Sequence, residues 1–266
     1  MERTKTLRKD NTTAALGLLV AILAGMLGLS VLLPQEAFAS NATVWVVSKA
    51  KEVSADYGDD VLITTYAYDK KGVLKQSKET FGKLYESKVT YAYDKKQRLK
   101  YSKVVDGSDV EEVEKYTITF KRNGKGYVIG ASRSSDGSTF KYKYNSKGLL
   151  ASLCCGNSSK ELFTYDGKKR LKTYTRYFDG ELDMSAKVTY TKKGLLKTFS
   201  FGSGRDVYTT KNGRTKKKVM YYDGFKQGVI TYTYKKVSVP KSLVSMVKAQ
   251  QTAIFIGNYP IEAAHR

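Results

Sequence analysis

Few side chains in this chain belong to the types that catalyse reactions or bind metals. The sequence has one histidine, His265, and its two cysteines, Cys154 and Cys155, are adjacent. These three residues cannot supply the four ligands of a tetrahedral zinc site. Paired acids occur at Asp59-Asp60 and Glu111-Glu112, but sequence neighbours are not a catalytic pair positioned across a substrate. The sequence therefore predicts no catalytic residue, no metal site and no cofactor.

The vicinal cysteines are not expected to form an ordinary disulfide. Adjacent residues of a strand point to opposite faces of the sheet, which places their sulfur atoms badly for a bond. Free thiols, a bond to another molecule and a strained vicinal disulfide remain the alternatives. With no other cysteine, the fold does not depend on a disulfide framework.

Positive charge is the most prominent chemical property of the sequence. The 266 residues include 47 Lys and Arg against 25 Asp and Glu, a net charge of +22. Lysine outnumbers arginine 37 to 10, which favours diffuse attraction over bidentate recognition. A row of lysines attracts polyanions, and such binding falls steeply with salt. The alternative is that exposed lysines only keep a large sheet soluble and its edges unpaired.

The first forty residues have the pattern of an export signal. Residues 1–13 are basic, residues 14–33 are apolar or small, and the A-F-A sequence at Ala37 to Ala39 precedes Ser40. This order is typical of a secretory signal peptide cut after Ala39. The apolar run is also long enough to span a bilayer, so a retained N-terminal anchor is the alternative. In both cases we expect a secreted or cell-surface protein.

The rest of the chain repeats with a period of about 24 residues. Apolar and polar residues alternate before a turn, as where Val89, Tyr91 and Tyr93 oppose Thr90 and Ala92. A period of two in aromatic and β-branched residues is typical of strands with one buried face. Five clear copies lie at 66–74, 91–99, 142–150, 163–171 and 188–196, and three weaker ones at 118–126, 207–215 and 232–237.

Each copy continues through a turn into a returning strand that opens with leucine. An Asp or Asn in the turn can bond its own backbone, and a Gly supplies positive φ. The aromatic and leucine positions are predicted to form the repeat core. They are Tyr66, Tyr68, Leu74, Tyr91, Tyr93, Leu99, Tyr142, Tyr144, Leu150, Phe163, Tyr165, Leu171, Tyr190, Leu196, Tyr232 and Tyr234.

The repeats predict an all-β fold, an antiparallel meander of about 14–16 strands. Because large twisted sheets rarely stay flat, we expect a barrel, a roll or a spiral. A transmembrane barrel is disfavoured because the repeating face is mostly Tyr. After Pro240 the spacing predicts a short helix and then an apolar strand at Ala253–Ile256, which together cap the sheet. The predicted domains are the signal peptide 1–39, a leader segment 40–60, the repeat domain 61–237 and a C-terminal cap 238–266.

The register of the repeats predicts where the charge lies. Alternate turns fall on opposite edges of the sheet, and the Y-D-type turns hold many lysines and few acids. We therefore expect a lysine row along one edge and a net acidic opposite edge. The candidate polyanion-binding residues are Lys70, Lys71, Lys95, Lys96, Lys168, Lys169, Lys192, Lys193, Lys235 and Lys236.

The repeat motif resembles the YD repeats of RHS-family proteins, whose unit is roughly Y-x-Y-D-x-x-G-x-L. Residues 66–74 match every fixed position, and the resemblance covers about residues 60–236. In that family such repeats form a strip of sheet that spirals into a shell, in large secreted or surface proteins. The resemblance implies a small stand-alone exported bacterial member, and no toxin or protease segment is identifiable.

Together these observations predict a non-catalytic surface or secreted protein that binds polyanionic envelope polymers. The expected partners are anionic cell-wall polymers or glycans, with nucleic acid bound only non-specifically. One alternative is a structural β-shell or scaffold. Another is a carbohydrate-active protein on a β scaffold, which would need carboxylates that converge in a pocket.

Overall fold

The computed structural model describes residues 41–55, 60–82, 85–108 and 113–256, so the predicted signal segment and its cleavage site lie outside it. A single turn of 3-10 helix at Lys241–Leu243 leads into one α-helix, α1, at Val244–Ile256. The strands are β1 Asn41–Ser54, β2 Leu62–Tyr68, β3 Leu74–Phe81, β4 Tyr85–Tyr93, β5 Leu99–Ser108, β6 Glu114–Arg122, β7 Val128–Arg133, β8 Thr139–Tyr144, β9 Leu150–Cys155, β10 Ser159–Tyr165, β11 Leu171–Phe178, β12 Glu181–Tyr190, β13 Leu196–Phe201, β14 Gly204–Lys211, β15 Arg214–Tyr222 and β16 Phe225–Pro240.

The strands form one closed antiparallel barrel. Each strand pairs with its neighbours along the chain, and β1 closes the sheet by pairing with β16. This last ladder runs from Asn41 opposite Pro240 to Ser54 opposite Gly228. The predicted all-β meander is confirmed, and the sheet curls as a barrel. Strand β1 lies in segment 40–60, which the sequence analysis separates from the repeats, yet it is a strand of the same sheet.

The Y-D turn repeats one hydrogen-bond pattern. Asp69 Oδ1 accepts the backbone N–H groups of Lys71 at 2.8 Å and Val73 at 3.0 Å. Gly72 has a φ of 74°, a left-handed conformation that glycine adopts without a steric cost. Asp or Asn accepts the same two N–H groups in the turns that begin at residues 94, 123, 145 and 166.

Two of these turns place a larger residue in the left-handed position. Gln97 has a φ of 59° and is followed by Arg98, whose Nε lies 2.7 Å from Asp94 Oδ2. Lys169, Arg170 and Asp166 repeat the arrangement with the same distance. The charged hydrogen bond offsets a backbone strain of order 1 kcal/mol or more.

A β-bulge follows each of these turns and decides which side chains face inward. Tyr68 pairs with Leu74 but Ala67 pairs with Gln76, so Lys75 is an extra residue in β3. Inward positions therefore fall at Leu74, three residues later at Ser77, and then at every second residue. The same register shift occurs where β4 meets β5, β8 meets β9, β10 meets β11 and β12 meets β13.

The inward side chains fill the barrel. A sixteen-stranded barrel can enclose an aqueous channel, but here one cluster of buried residues runs from Leu74 in β3 to Tyr208 in β14 and includes Ala253 and Ile256 of α1. The repeat leucines and the first aromatic residue of most copies are buried, and the second Tyr packs against them at the rim.

The hydroxyl of that second Tyr links each repeat to the one before it. Tyr93 donates to the carbonyl oxygen of Leu74 at 2.8 Å, and Tyr190 donates to that of Leu171, also at 2.8 Å. Tyr165 donates to Leu150 O at 2.9 Å. Each acceptor is the carbonyl beside the bulge, so the hydroxyl satisfies a backbone group where the sheet ladder is disturbed.

Helix α1 is bound to the barrel wall by two glutamines. The N–H of Val47 donates to Gln251 Oε1 at 2.6 Å, and the N–H of Leu74 donates to Gln250 Oε1 at 3.4 Å. The strand predicted at Ala253–Ile256 is wrong because these residues continue the helix. Short apolar runs suit either structure, and a closed barrel leaves no sheet edge for another strand. Within the described ranges, no helix is long and apolar enough to cross a membrane.

Gly72→Ala is expected to destabilise the barrel more than the same change at Gly194. Both glycines have positive φ, at 74° and 81°. A Cβ on Gly72 would lie 2.6 Å from Val239 Cγ2 in β16, whereas the nearest atom to one on Gly194 is Arg170 Nη1 at 3.6 Å. Overpacking should add about 1–3 kcal/mol to the strain that both variants share. Urea unfolding measures the difference, and equal losses would contradict the contact between β16 and this turn.

Candidate polyanion-binding site

The Y-D turns lie together at one end of the barrel, which we call the Y-D mouth. It comprises the turns 69–73, 94–98, 123–127, 145–149, 166–170 and 191–195, and the two-residue turn Asn212-Gly213. A closed meander places alternate turns at the same end, so the lysine row predicted for one edge of a sheet becomes a ring. Neighbouring turns are two strands apart, which is roughly 10 Å.

Eight of the ten candidate lysines are at the tips of these turns. They come in four pairs, one on each of four turns, and all eight are exposed: Lys70, Lys71, Lys95, Lys96, Lys168, Lys169, Lys192 and Lys193. The acids of these turns are used within the turn itself. Burial opposes ionisation of Asp94, but hydrogen bonds from Arg98 hold its pKa below the usual value. The lysine charges are therefore left to face solvent.

Lys235 and Lys236 are placed differently from the other eight. The turn predicted at residues 232–237 is wrong because β16 continues to Pro240, and these lysines pair with Val46 and Trp45 of β1. The segment lacks the Asp, Asn or Gly that the other turns use, which explains why the strand does not turn. Both lysines are still exposed beside the Y-D mouth.

The opposite edge was expected to be net acidic, but several acids near that end of the barrel point into it instead. We call that end the D-G mouth, after turns such as Asp179-Gly180. Glu79 lies opposite the buried Thr64 of β2, whose hydroxyl donates to Glu79 Oε2 at 3.4 Å. Asp106 of β5 and Glu79 both lie opposite the buried Ser87 of β4, so the three side chains share one inward row.

Burial changes the ionisation of these inward groups. Burial and the nearby charges of Glu52 and Asp106 raise the pKa of Glu79 to about 7. Burial also raises the pKa of Glu161 to about 7, with Arg176 opposing the shift. Burial alone would lower the pKa of Lys218, but Asp206, whose Oδ2 lies 3.1 Å from Lys218 Nζ, raises it above its usual value.

The two cysteines are free thiols on opposite faces of β9. Cys155 pairs with Phe140 on the inward face, and Cys154 pairs with Lys141 on the outward face. In the part of the chain that the structure describes, no group of three or more His, Cys, Asp or Glu side chains could hold a metal ion.

Comparison with known proteins gives likenesses of structure only. No protein-family model and no curated protein matches the sequence. A porin-like protein from Bacteroides uniformis superposes with a TM-score of 0.48 at 14% identity, covering 71% of this chain and 98% of that one. The Photorhabdus luminescens Tc holotoxin pore gives a TM-score of 0.28 at 14% identity, and a TcdB2–TccC3–Cdc42 complex gives 0.30 at 12%. The match covers 59% and 66% of this chain, but only 12% and 13% of those toxin chains.

Proposed function

We propose that this protein is an exported, non-catalytic β-scaffold whose Y-D mouth binds polyanionic polymers of the cell envelope. The observation that supports this proposal is the ring of exposed lysine pairs on turns whose acids are hydrogen-bonded internally. The site needs no pocket, because a linear anionic polymer can lie across several turns at once.

The spacing of the ring suits a polymer better than a single anion. Neighbouring turns are roughly 10 Å apart, close to the screening length of about 8 Å at physiological ionic strength. The fields of lysine pairs on neighbouring turns, as at residues 70–71 and 95–96 or 168–169 and 192–193, therefore overlap only in part. A small anion would meet one pair, whereas a polymer with repeated phosphate or carboxylate groups would meet several.

The outward face of the strands supports a barrel surrounded by water. Exposed lysines lie within the strands, at Lys88 in β4, Lys103 in β5, and Lys141 and Lys143 in β8. A lysine facing lipid at the bilayer midplane costs about 2–4 kcal/mol. We therefore propose that the folded barrel lies in the aqueous space outside the membrane, either released or held by a retained N-terminal anchor.

The filled interior also favours a second function, a structural scaffold without a ligand. The inward side chains are buried against one another, so the barrel could act as a rigid spacer at the surface. In that case the lysines only keep the Y-D mouth soluble and discourage pairing with other sheets. The two functions differ in whether the ring is needed for retention on anionic polymer.

Removing the lysine ring is expected to weaken polymer binding at least tenfold. The variant replaces Lys70, Lys71, Lys95, Lys96, Lys168, Lys169, Lys192 and Lys193 with Gln. Affinity for wall teichoic acid and for inorganic polyphosphate is measured by titration at several salt concentrations. For a flexible polyanion, log K should fall against log salt concentration with a slope of about 0.7 for each phosphate engaged. The variant engages fewer phosphates, so its affinity should depend less steeply on salt.

The matched control removes the same charge from the barrel wall. Lys51, Lys88, Lys103, Lys115, Lys141, Lys143, Lys160 and Lys187 are exposed on strands away from the turn tips. Their replacement with Gln should weaken binding much less than loss of the ring. Equal losses in the two variants would show that net charge alone attracts the polymer, and unchanged binding in the ring variant would favour the scaffold.

A further inference from the structure

The only tryptophan of the chain lies in a cluster of cations beside the Y-D mouth. Trp45 of β1 pairs with Lys236 of β16, whose Nζ is 5.1 Å from the centre of the indole ring. Arg214, the first residue of β15, follows the Asn212-Gly213 turn, and its Cζ is 4.0 Å from the same centre. Closure of the barrel thus brings together residues that are far apart in the sequence. We call Trp45, Arg214 and Lys236 the Trp45 cluster.

The indole ring of this cluster is accessible. Trp45 is 40% exposed, whereas most aromatic residues of the repeats are buried or half-buried. A guanidinium 4.0 Å from the ring centre is in stacking contact with the indole. Within the described residues neither Arg214 nor Lys236 has a carboxylate partner. Lys236 and part of the indole ring therefore face solvent together, while the half-buried Arg214 lies against the indole with its Nε buried.

More cations and aromatic rings surround the cluster. Lys216 Nζ is 5.1 Å and Arg214 Cζ is 5.9 Å from the centre of the Tyr234 ring. The side chains of the basic run from Arg214 to Lys218 thus point in different directions. Lys218 points inward to Asp206, whereas Arg214 and Lys216 lie against aromatic rings at the mouth.

We propose that the Trp45 cluster is a stacking site for single-stranded nucleic acid. This inference rests on the proposed function, because the lysine ring supplies the attraction for the phosphates. A nucleobase has a planar face that stacks on tryptophan and on guanidinium groups, and each nucleotide also carries a phosphate for Arg214 or Lys236. A polyphosphate chain has the charge without the ring, so it would use the lysines alone. We expect binding with little sequence preference, because every nucleobase has a face that can stack on an aromatic ring.

The single tryptophan allows a direct test on the full chain. Oligo(dT) should quench the tryptophan fluorescence on binding, and inorganic polyphosphate should bind with little quenching. Trp45→Leu should weaken oligo(dT) binding about 5- to 100-fold, the range expected for one stacked base. It should leave polyphosphate affinity within about twofold, because one non-ionic side chain does not alter the phosphate contacts. Trp45→Phe keeps an aromatic ring, so its affinity for oligo(dT) should lie between that of the natural sequence and that of Trp45→Leu.

Each outcome distinguishes this inference from the proposed function. If the ring variant still binds polyphosphate as well as the natural sequence does, the proposed function is overturned. If ring-dependent polyphosphate binding persists but oligo(dT) neither quenches Trp45 nor responds to Trp45→Leu, the nucleic acid site alone is overturned. Quenching by wall teichoic acid and not by oligo(dT) would also overturn it, because the indole of Trp45 would then stack on sugars and not on nucleobases. Unfolding curves for both Trp45 variants verify that the barrel remains folded.

Discussion

Raising the pH from 4.5 to 8 is expected to lower the free energy of unfolding, with Glu79 responsible for a large part of the loss. In the unfolded chain Glu79 releases its proton near its ordinary pKa, whereas in the barrel it holds the proton to a pKa of about 7. Between these two values the folded state binds more protons than the unfolded state, so stability falls as pH rises. A pKa shift of this size corresponds to up to about 3 kcal/mol of folding stability. This contribution is lost progressively as the pH rises from the ordinary pKa of glutamate through about 7.

Glu79→Gln should remove the part of this dependence that Glu79 causes and stabilise the barrel at pH 8, while the part due to Glu161 remains. Glutamine keeps the size of the side chain and can still accept the hydrogen bond from Thr64. Glu181→Gln is the matched control, since Glu181 is exposed beside the Asp179-Gly180 turn. Urea unfolding at half-unit pH intervals provides the measurement. A constant difference between Glu79→Gln and the natural sequence across this range would contradict the buried, protonated carboxyl.

Replacing Gln251 with leucine is expected to cost several kcal/mol and to loosen helix α1. The change leaves the buried N–H of Val47 without an acceptor, a cost of about 1–3 kcal/mol, and removes the contact of Gln251 Nε2 with the Tyr68 hydroxyl at 3.2 Å. Gln250→Leu should cost less, because the N–H of Leu74 lies farther from its acceptor, at 3.4 Å.

Lys248→Leu is the control for this pair, since Lys248 is an exposed residue on the same helix. Its effect on unfolding should be within about 0.5 kcal/mol. Hydrogen exchange of residues 244–256 adds a local measurement, and it should accelerate in the Gln251 variant. If protection of the helix is the same in all three variants, packing of its apolar residues holds it without the glutamines.

The strands and turns could be predicted because their signals are local. The Y-x-Y alternation, the Asp or Asn and the following Leu all lie within nine residues, as at 66–74. Closure could not be predicted in the same way. Strand β1 lacks the motif, and its partner β16 is almost at the other end of the chain. The approach of Arg214 to Trp45 depends on that closure, so it too was invisible in the sequence.

The inward position of Glu79 was missed for a geometric reason. Counting every second residue from Leu74 places Gln76 and Lys78 inside and Glu79 outside. The bulge at Lys75 reverses this order and turns Ser77 and Glu79 inward. A sequence rule that skips one residue after each repeat leucine would have found both, because Leu150 and Leu153, and Leu196 and Phe199, are buried at the same spacing.

The ladder between β1 and β16 determines when the molecule can finish folding. Strand β1 pairs with a strand that ends at Pro240, so it has no native neighbour on that side until residues 228–240 have been synthesised. Until then the growing sheet has two unpaired edges that can pair with other chains. Ring closure between such distant segments is also slow, because the chain entropy is lost before the contacts form. A chaperone that covers these edges would be of most use to this protein in that interval.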